Sequence, residues 1–307
     1  MRFWNWLKNL AIGLAIAALA LFGIKLYKAS EDRDRIIERN NDNKKRLESE
    51  IGKTNAALAD LGKYETSVFM DLKLFSDLIK DIKNVDFKPY KKKNIEIPDC
   101  SIDEIEEMSL ELQAFVDGVA AVGVAAVVGV AATGAAKVVR SIIKDNTPES
   151  KALGDVAAIG AAAIAGAVCL VKSTVDFSED VKKAEKEMLQ NEKTINNMIS
   201  YLQQVESVVE KYESQLKLAH KLYLEQIEAV KSIMIRTGND LKKYKKRDRL
   251  ALENLWLLTK FLYRFCDTPI LLESENNGCK DINTDEINDV INDSRVFIMD
   301  RYKLKYA

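Results

Sequence analysis

Residues 195–233, INNMISYLQQVESVVEKYESQLKLAHKLYLEQIEAVKSI, place apolar side chains at alternating three- and four-residue steps. This is the heptad pattern of a helix that buries one apolar stripe against other helices. The pattern starts at Val181, and only Asn191 and Gln226 interrupt it. It predicts one helix of more than fifty residues, about 80 Å long. The stripe, called here the long seam, consists of Val181, Ala184, Met188, Ile195, Met198, Leu202, Val205, Val209, Tyr212, Leu216, Ala219, Tyr223, Val230 and Ile233.

A shorter stripe with the same spacing lies in the polar region of residues 31 to about 85, which we expect to be helical. Glu65 occupies one position of this stripe and breaks the apolar series. The two stripes can pair within one chain, or the long seam can form a coiled coil between chains. The short seam consists of Leu58, Leu61, Val68, Leu72, Phe75, Ile79 and Ile82. The residues that we assign to a bundle or oligomer seam are Ile195, Leu202, Val209 and Leu216.

The composition favours long helices and gives no bias toward polyanions. The 307 residues include 46 basic and 47 acidic side chains, and the net charge of −1 predicts no nucleic-acid partner. There are four prolines and thirteen glycines, and nine of the glycines fall in two apolar segments. Elsewhere almost no residue interrupts a helix, so we expect an all-α protein.

The middle of the chain contains two apolar arms built mainly from Gly, Ala and Val. Residues 118–136 form nineteen uncharged positions in a row, and residues 156–171 form sixteen. Between them, Thr147 and Pro148 fit an N-cap and a first helical position, so we expect the arms to fold back as a helical hairpin. The residues that we assign to membrane insertion are Gly118, Gly123, Val127, Gly129, Gly134, Gly160 and Gly166.

Three interpretations of this hairpin are open. Burial of apolar surface stabilises by about 25 cal/mol per Å², and small side chains bury little of it. The arms can therefore be covered by a helical bundle in water and still be tolerated in lipid. The arms can instead form an Ala-rich helix pair in a soluble core, although each glycine weakens a helix by about 1 kcal/mol relative to Ala. Permanent insertion of both arms is the third interpretation, and the second arm is short for a membrane span.

A helix start is predicted ahead of the first arm. Pro98 is followed by Ser101 and Glu104, which have the spacing of a capping box. We expect a helix that begins at about residue 101 and leads into the apolar segment.

The N-terminal segment, MRFWNWLKNLAIGLAIAALALFGIKLYKAS, predicts a membrane anchor. Sixteen uncharged residues separate Lys8 from Lys25, and aromatic side chains that suit the membrane interface flank them. Residues 3–27 would extend about 37 Å as a helix, enough to cross a hydrocarbon core of about 30 Å. A signal peptide cleaved after residues 18–20 and a buried soluble helix are the alternatives. The anchor residues are Trp4, Trp6, Leu10, Leu21 and Tyr27.

The basic residues around the two apolar regions predict conflicting orientations. Five basic residues within 25–39 follow the anchor and two precede it, which places the body in the cytoplasm. The hairpin tip, residues 137–151, is also basic, and a cytoplasmic tip would place the body outside if the arms span. A hairpin that does not span at rest resolves the conflict. We therefore favour a cytoplasmic body on a single anchor.

Signals for catalysis are almost absent. His220 is the only histidine, and it lies beside the long seam between Lys217 and Lys221, so we expect it at the surface. No nucleophile motif accompanies it, and the four cysteines lack metal-ligand spacing. Residues 129–137 lack the Gly-Lys-Ser/Thr ending of a phosphate loop. We therefore predict no enzyme activity, cofactor, metal site or small-molecule substrate.

The C-terminal quarter begins where Gly238 and Asn239 should end the long helix. Residues 242–249 hold six basic side chains, and the amphipathic aromatic stretch ALENLWLLTKFLYRF follows. This region can lie on an anionic membrane surface, or it can pack on the bundle with its lysines in water, which is the interpretation we favour. A last helix is expected from Thr284.

The order of these segments resembles that of the α-helical pore-forming toxins of the cytolysin A and Bacillus tripartite enterotoxin type. This chain and those toxins are similar in having a long amphipathic helix, a Gly/Ala/Val hairpin in mid-chain and a second long heptad helix. The hairpin is also similar to those of the pore-forming colicins and of the apolipoprotein L group. The resemblance covers about residues 31–235 and lies in the architecture. It implies hairpin insertion and oligomerisation on a membrane, whereas the anchor departs from the secreted toxins.

We therefore predict an elongated all-α bundle of coiled-coil-like helices with an apolar hairpin and an N-terminal membrane helix. The expected function is that of a membrane-anchored effector that oligomerises and inserts its hairpin to permeabilise a bilayer. The alternative is an anchored coiled-coil scaffold or sensor whose hairpin is a helix-packing core. The expected partners are a lipid bilayer and a second copy or another helical protein. The predicted segments are an anchor (1–28), an amphipathic helix (29–95), the hairpin with its lead-in helix (96–177), the heptad helix (178–237) and a basic, aromatic C-terminal region (238–307).

Overall fold

The computed structural model describes residues 30–87, 101–107, 181–272 and 281–302 of the chain. About 87% of this part is helical, which confirms the all-α class. The predicted anchor and both apolar arms lie outside the described residues. None of the described helices has an apolar stretch long enough to cross a membrane.

The described elements are mainly helices. Residues 102–107 are helical and are called α3. The helix expected from residue 31 to about 85 is interrupted at Leu72, so it forms two elements. The other elements are α1 (Ser30–Asp71), α2 (Lys73–Lys80), α4 (Val181–Thr237), a short 3-10 helix (Leu241–Lys243), α5 (Lys246–Asp267), the antiparallel strands β1 (Leu271–Leu272) and β2 (Asp281–Ile282), and α6 (Thr284–Tyr302).

The longest element is α4, and its length confirms the predicted helix of more than fifty residues. It contains 57 residues, so it is about 85 Å long. It ends, as predicted, at Gly238, whose φ of +81° lies in the left-handed region that glycine adopts without a Cβ clash. The Gly238 N–H donates to the carbonyl of Met234 at 2.7 Å and so closes the last turn.

Helices α1 and α4 lie side by side and run in the same direction. Near their starts, Arg39 forms an ion pair with Glu192 at 2.6 Å. Further along, the hydroxyl of Tyr64 lies 3.0 Å from Nδ1 of His220. Residue numbers therefore increase together along both helices, and the pair is parallel.

The two seams meet each other within the chain. Every short-seam residue is at most 6% exposed, and the long-seam residues from Met188 to Ile233 are at most 7% exposed. Of the two arrangements left open by the sequence, the described residues adopt the intramolecular one. The buried positions include all four that we assigned to a bundle or oligomer seam, namely Ile195, Leu202, Val209 and Leu216.

Helices α5 and α6 complete the bundle on the later part of α4. Helix α5 is antiparallel to α4, because Arg236 pairs with Asp248 at 2.9 Å while the Tyr212 hydroxyl donates to the carbonyl of Phe265. The aromatic helix therefore packs on the bundle, the arrangement we favoured. Its fully buried apolar and aromatic side chains include Leu255, Leu258, Phe261, Leu262 and Phe265.

The core is distributed unequally along the α1–α4 pair. The main cluster lies where α5 and α6 join the pair, and this part is called the body. Residues 30–57 of α1 and 181–204 of α4 are called the shaft. A smaller cluster of Leu47, Ile195, Met198 and Leu202 holds the shaft together.

Helix α3 starts where the capping pattern predicted. The N–H of Glu104 donates to Oγ of Ser101 at 3.0 Å. The carboxylate of Glu104 accepts from the hydroxyl of Tyr263 at 2.8 Å, and Lys80 pairs with Glu106. These contacts fix α3 to α2 and α5, so residue 107 belongs to the body.

Charges placed in the seam should unfold the bundle. Replacing Leu202 and Val209 together by Asp buries two unpaired carboxylates, at a cost of several kcal/mol each. We expect the thermal transition followed by circular dichroism to be lost or shifted far down. The matched control is Leu189→Asp with Ile235→Asp, on the same helix at positions 55% and 88% exposed. Similar melting of the two double variants would contradict the packing described.

Candidate functional site

The most unusual part of the body is a group of polar side chains buried where α1 is interrupted. The interruption faces Tyr223 of α4, which is fully buried. Its hydroxyl donates to the carbonyl of Asp71 at 2.8 Å and accepts from the N–H of Phe75 at 3.1 Å. In a continuous helix that N–H would bond directly to that carbonyl. A side chain inserted into the hydrogen-bond ladder is a recognised cause of a helix break.

His220 lies one turn before Tyr223 on α4 and joins the same group. Its Nε2 is 3.0 Å from the carboxylate of Asp71, and its Nδ1 is 3.0 Å from the Tyr64 hydroxyl. Since a carboxylate can only accept, Nε2 carries the proton, and Nδ1 then accepts from Tyr64. This order satisfies the neutral imidazole at both nitrogens. The prediction of a surface position is wrong, because His220 is only 5% exposed.

The environment of His220 favours its neutral form. Burial lowers the pKa of His220 below its usual value of 6.5, and the neighbouring Asp71 carboxylate opposes this shift. Burial also raises the pKa of Tyr64, with further contributions from Glu213 and Asp71. Tyr64 therefore stays a phenol, which is the form that donates to His220. The arrangement joins α1 to α4 through hydrogen bonds that depend on the protonation of one imidazole.

A second polar group lies at the Glu65 position of the short seam. Glu65 is fully buried, and neither of its carboxyl oxygens has a hydrogen-bond partner among the described residues. Burial raises the pKa of Glu65 well above the ordinary value of 4.5, because an ionised carboxylate is poorly solvated there. Next to it, Sγ of Cys266 lies 3.6 Å from the Glu65 carbonyl. Burial is also the main cause that raises the pKa of the Cys266 thiol.

The sequence offers partial signals for these groups. Glu65 interrupts the short seam at a position that must face α4, so its burial follows from the spacing. Tyr223 is a long-seam residue, so its burial follows from the spacing, whereas the spacing does not predict the hydrogen bonds of its hydroxyl. His220 lies one residue after the seam residue Ala219, and its burial depends on how closely α1 packs against α4. Among the described residues, no cluster of His, Cys, Asp and Glu is arranged to hold a metal ion.

The predicted membrane residues lie outside the described ranges. This holds for the seven insertion residues of the hairpin (Gly118, Gly123, Val127, Gly129, Gly134, Gly160 and Gly166) and for the five anchor residues (Trp4, Trp6, Leu10, Leu21 and Tyr27). The four assigned seam residues are buried: Ile195 and Leu202 lie in the smaller cluster, and Val209 and Leu216 lie in the main cluster.

Comparison with known proteins adds no relative: the chain matches no family model, no curated protein and no solved structure.

The Tyr223 hydroxyl should contribute measurably to stability. Tyr223→Phe removes the group that links the Asp71 carbonyl to the Phe75 N–H, and leaving buried backbone groups unsatisfied costs about 1–3 kcal/mol. Tyr244→Phe is the matched control, because the Tyr244 hydroxyl is also buried but has no hydrogen-bond partner in the described part of the chain. We expect urea unfolding to show a loss for Tyr223→Phe and no loss for Tyr244→Phe. Equal effects of the two variants would contradict the bridging role.

Glu65 should make the protein less stable as pH rises. The folded state holds the Glu65 proton more tightly than the unfolded chain, so stability falls above about pH 4.5, by up to about 1.4 kcal/mol per pH unit. Glu65→Gln removes this term, so its advantage over the natural chain in urea unfolding should grow with pH. Glu50→Gln is the control, since the hydrogen bond from Lys53 lowers the pKa of Glu50. A Glu65→Gln advantage that is constant with pH would show that Glu65 is ionised in the fold.

Proposed function

We propose that this chain is a membrane-anchored helical effector that oligomerises and inserts its apolar hairpin to permeabilise a bilayer. One observation supports this proposal above the others: α1 and α4 are parallel. In the sequence, α1 follows the apolar N-terminal segment, and nine residues separate the second hairpin arm from the start of α4. A parallel pair brings these two junctions to the same end.

The two junctions lie at nearly the same height along the shaft. Tyr64 and Asp71 contact His220 from either side, so the two helices can be aligned at this level. From there α1 extends back about 56 Å to residue 30, and α4 extends back about 58 Å to Val181. The difference is less than one helical turn. In an antiparallel pair the same junctions would be more than about 100 Å apart.

This geometry suits one bilayer that receives both apolar segments. The hairpin segment leaves the body at residue 107 and enters the shaft at Val181, so residues 108–180 connect the two ends of the molecule. The anchor and the second arm then enter the membrane beside each other, while the body stays at the distant end. A cytoplasmic body is the orientation favoured by the basic residues after the anchor.

Oligomerisation, in this proposal, uses surfaces outside the seams. The described seam residues are already buried within one chain, so the long seam is not available for a coiled coil between copies. Contacts between copies are expected from the membrane segments, where small residues allow helices to approach closely.

The test is dye release from liposomes by the full-length chain. Val127→Arg places a charge in the middle of the first arm, at a cost of about 2.5–3.5 kcal/mol for insertion. We expect it to lower dye release roughly a hundredfold. Ala126→Leu with Gly129→Leu is the paired variant, because larger apolar side chains strengthen partitioning into lipid. It should keep or increase both membrane binding and release.

The paired variant separates the proposal from the scaffold alternative. In a close-packed soluble core, the added side chains overpack and destabilise by about 1–3 kcal/mol each. A lower melting temperature with no gain in liposome binding would therefore contradict hairpin insertion and support a helix-packing core in an anchored scaffold.

A further inference from the structure

The end of the body farthest from the shaft carries a dense group of cationic side chains. Residues 239–241 pair with the backbone at Lys83, which adds one exposed lysine to the group. The whole group, called the basic tip, comprises Lys83, Lys242, Lys243, Lys245, Lys246, Arg247 and Arg249, all exposed. Within the described part of the chain, none of the seven forms an ion pair with an acidic side chain.

The acidic side chains at this end do not neutralise the basic tip. Asp248 is mostly buried and pairs with Arg236 at 2.9 Å. Asp240 accepts from the N–H of Lys242 at 3.0 Å and from the side chain of Asn84 at 2.9 Å. With Asp81 and Asp86, the described residues of this end include four acidic side chains and eight basic ones counting Arg236, whereas the whole chain has a net charge of −1. The positive charge is therefore concentrated locally.

The fold holds the basic tip in a fixed shape. The N–H of Lys83 donates to the Asn239 carbonyl at 2.7 Å, and the Leu241 N–H donates to the Lys83 carbonyl at 3.1 Å. The Arg249 guanidinium donates to the carbonyls of Tyr244 and Lys242 at 3.1 and 3.2 Å. Like charges held together repel one another, and an anionic surface would relieve that repulsion without a large ordering cost.

Two exposed apolar side chains flank this basic segment in the sequence. Ile235, in the last turn of α4, is 88% exposed, and Leu250, which follows Arg249, is 39% exposed. The tyrosine of this segment, Tyr244, is 4% exposed and offers no ring for stacking on a nucleic-acid base. Cations beside aliphatic side chains suit a phospholipid interface, where the charges meet headgroups and the apolar groups enter the boundary layer.

We propose that the basic tip docks on an anionic phospholipid surface. This goes beyond hairpin insertion, because the tip begins at the C-terminal end of α4, about 85 Å from Val181. The two ends of the molecule would therefore make separate membrane contacts, one apolar and one electrostatic. Substitutions in the basic tip therefore leave the apolar segments of the chain unchanged.

The test measures partitioning of the full-length chain onto vesicles of phosphatidylcholine alone and of phosphatidylcholine mixed with phosphatidylserine. We expect phosphatidylserine to raise the partition coefficient at least tenfold, and high salt to remove the gain. The tip variant carries the four substitutions Lys242→Glu, Lys243→Glu, Lys245→Glu and Lys246→Glu. It should lose this gain while binding to pure phosphatidylcholine stays unchanged. Ile235→Ser should weaken binding to the mixed vesicles in particular.

A matched control changes the same net charge on the sides of the body. It carries Lys63→Glu, Lys211→Glu, Lys221→Glu and Lys231→Glu, all at exposed positions, and should retain the gain from phosphatidylserine. Equal losses in the two variants would show a response to overall charge and overturn the proposal. A tip variant that keeps the gain would also overturn it. So would tip-dependent binding of a DNA oligonucleotide by a chain that shows no response to phosphatidylserine.

Discussion

The packing of α1 on α4 is the contact on which the rest of the structure depends. Two heptad stripes in one chain bury each other, and α5 and α6 add to a pair that already exists. The contact also sets the direction of the two helices relative to each other. Since the helices are parallel, the chain must return from the body to the start of α4 between residues 107 and 181. Both apolar arms belong, in the sequence, to that segment.

Several polar side chains are buried at the α1–α4 contact, and their burial lowers the free energy of unfolding. A fully apolar seam would avoid an unpaired carboxyl at Glu65 and a helix break opposite Tyr223. The pair instead contains a hydrogen-bonded imidazole that is neutral when buried and a carboxyl that is protonated when buried. Ionisation of His220 at low pH, or of Glu65 at high pH, weakens the same contact. The two groups therefore give stability opposite pH dependences: the contribution of Glu65 falls as pH rises above about 4.5, and that of His220 falls as pH drops below about 6.5.

The sequence predicts the helices of this fold better than their arrangement. Heptad spacing fixes α4, its stripe and its end at Gly238, and a capping pattern fixes the start of α3. The interruption at Leu72 could not be foreseen, because its cause is a hydroxyl on another helix. The burial of His220 likewise depends on the separation of α1 and α4, which spacing within one helix does not specify. The parallel direction of the pair is also a tertiary property, and the proposed function depends on it.

That direction can be measured by placing one spin label on each shaft helix. Glu38→Cys on α1 and Leu189→Cys on α4 are exposed positions, in a background with the four native cysteines replaced by alanine and diluted with unlabelled protein. Electron–electron double resonance should give a distance within about 25 Å, since adjacent helix axes are about 10 Å apart and the two sites lie at similar heights. An antiparallel pair would separate the labels by about 90 Å. The longer separation would contradict the parallel pair and, with it, the delivery of both apolar segments to one bilayer.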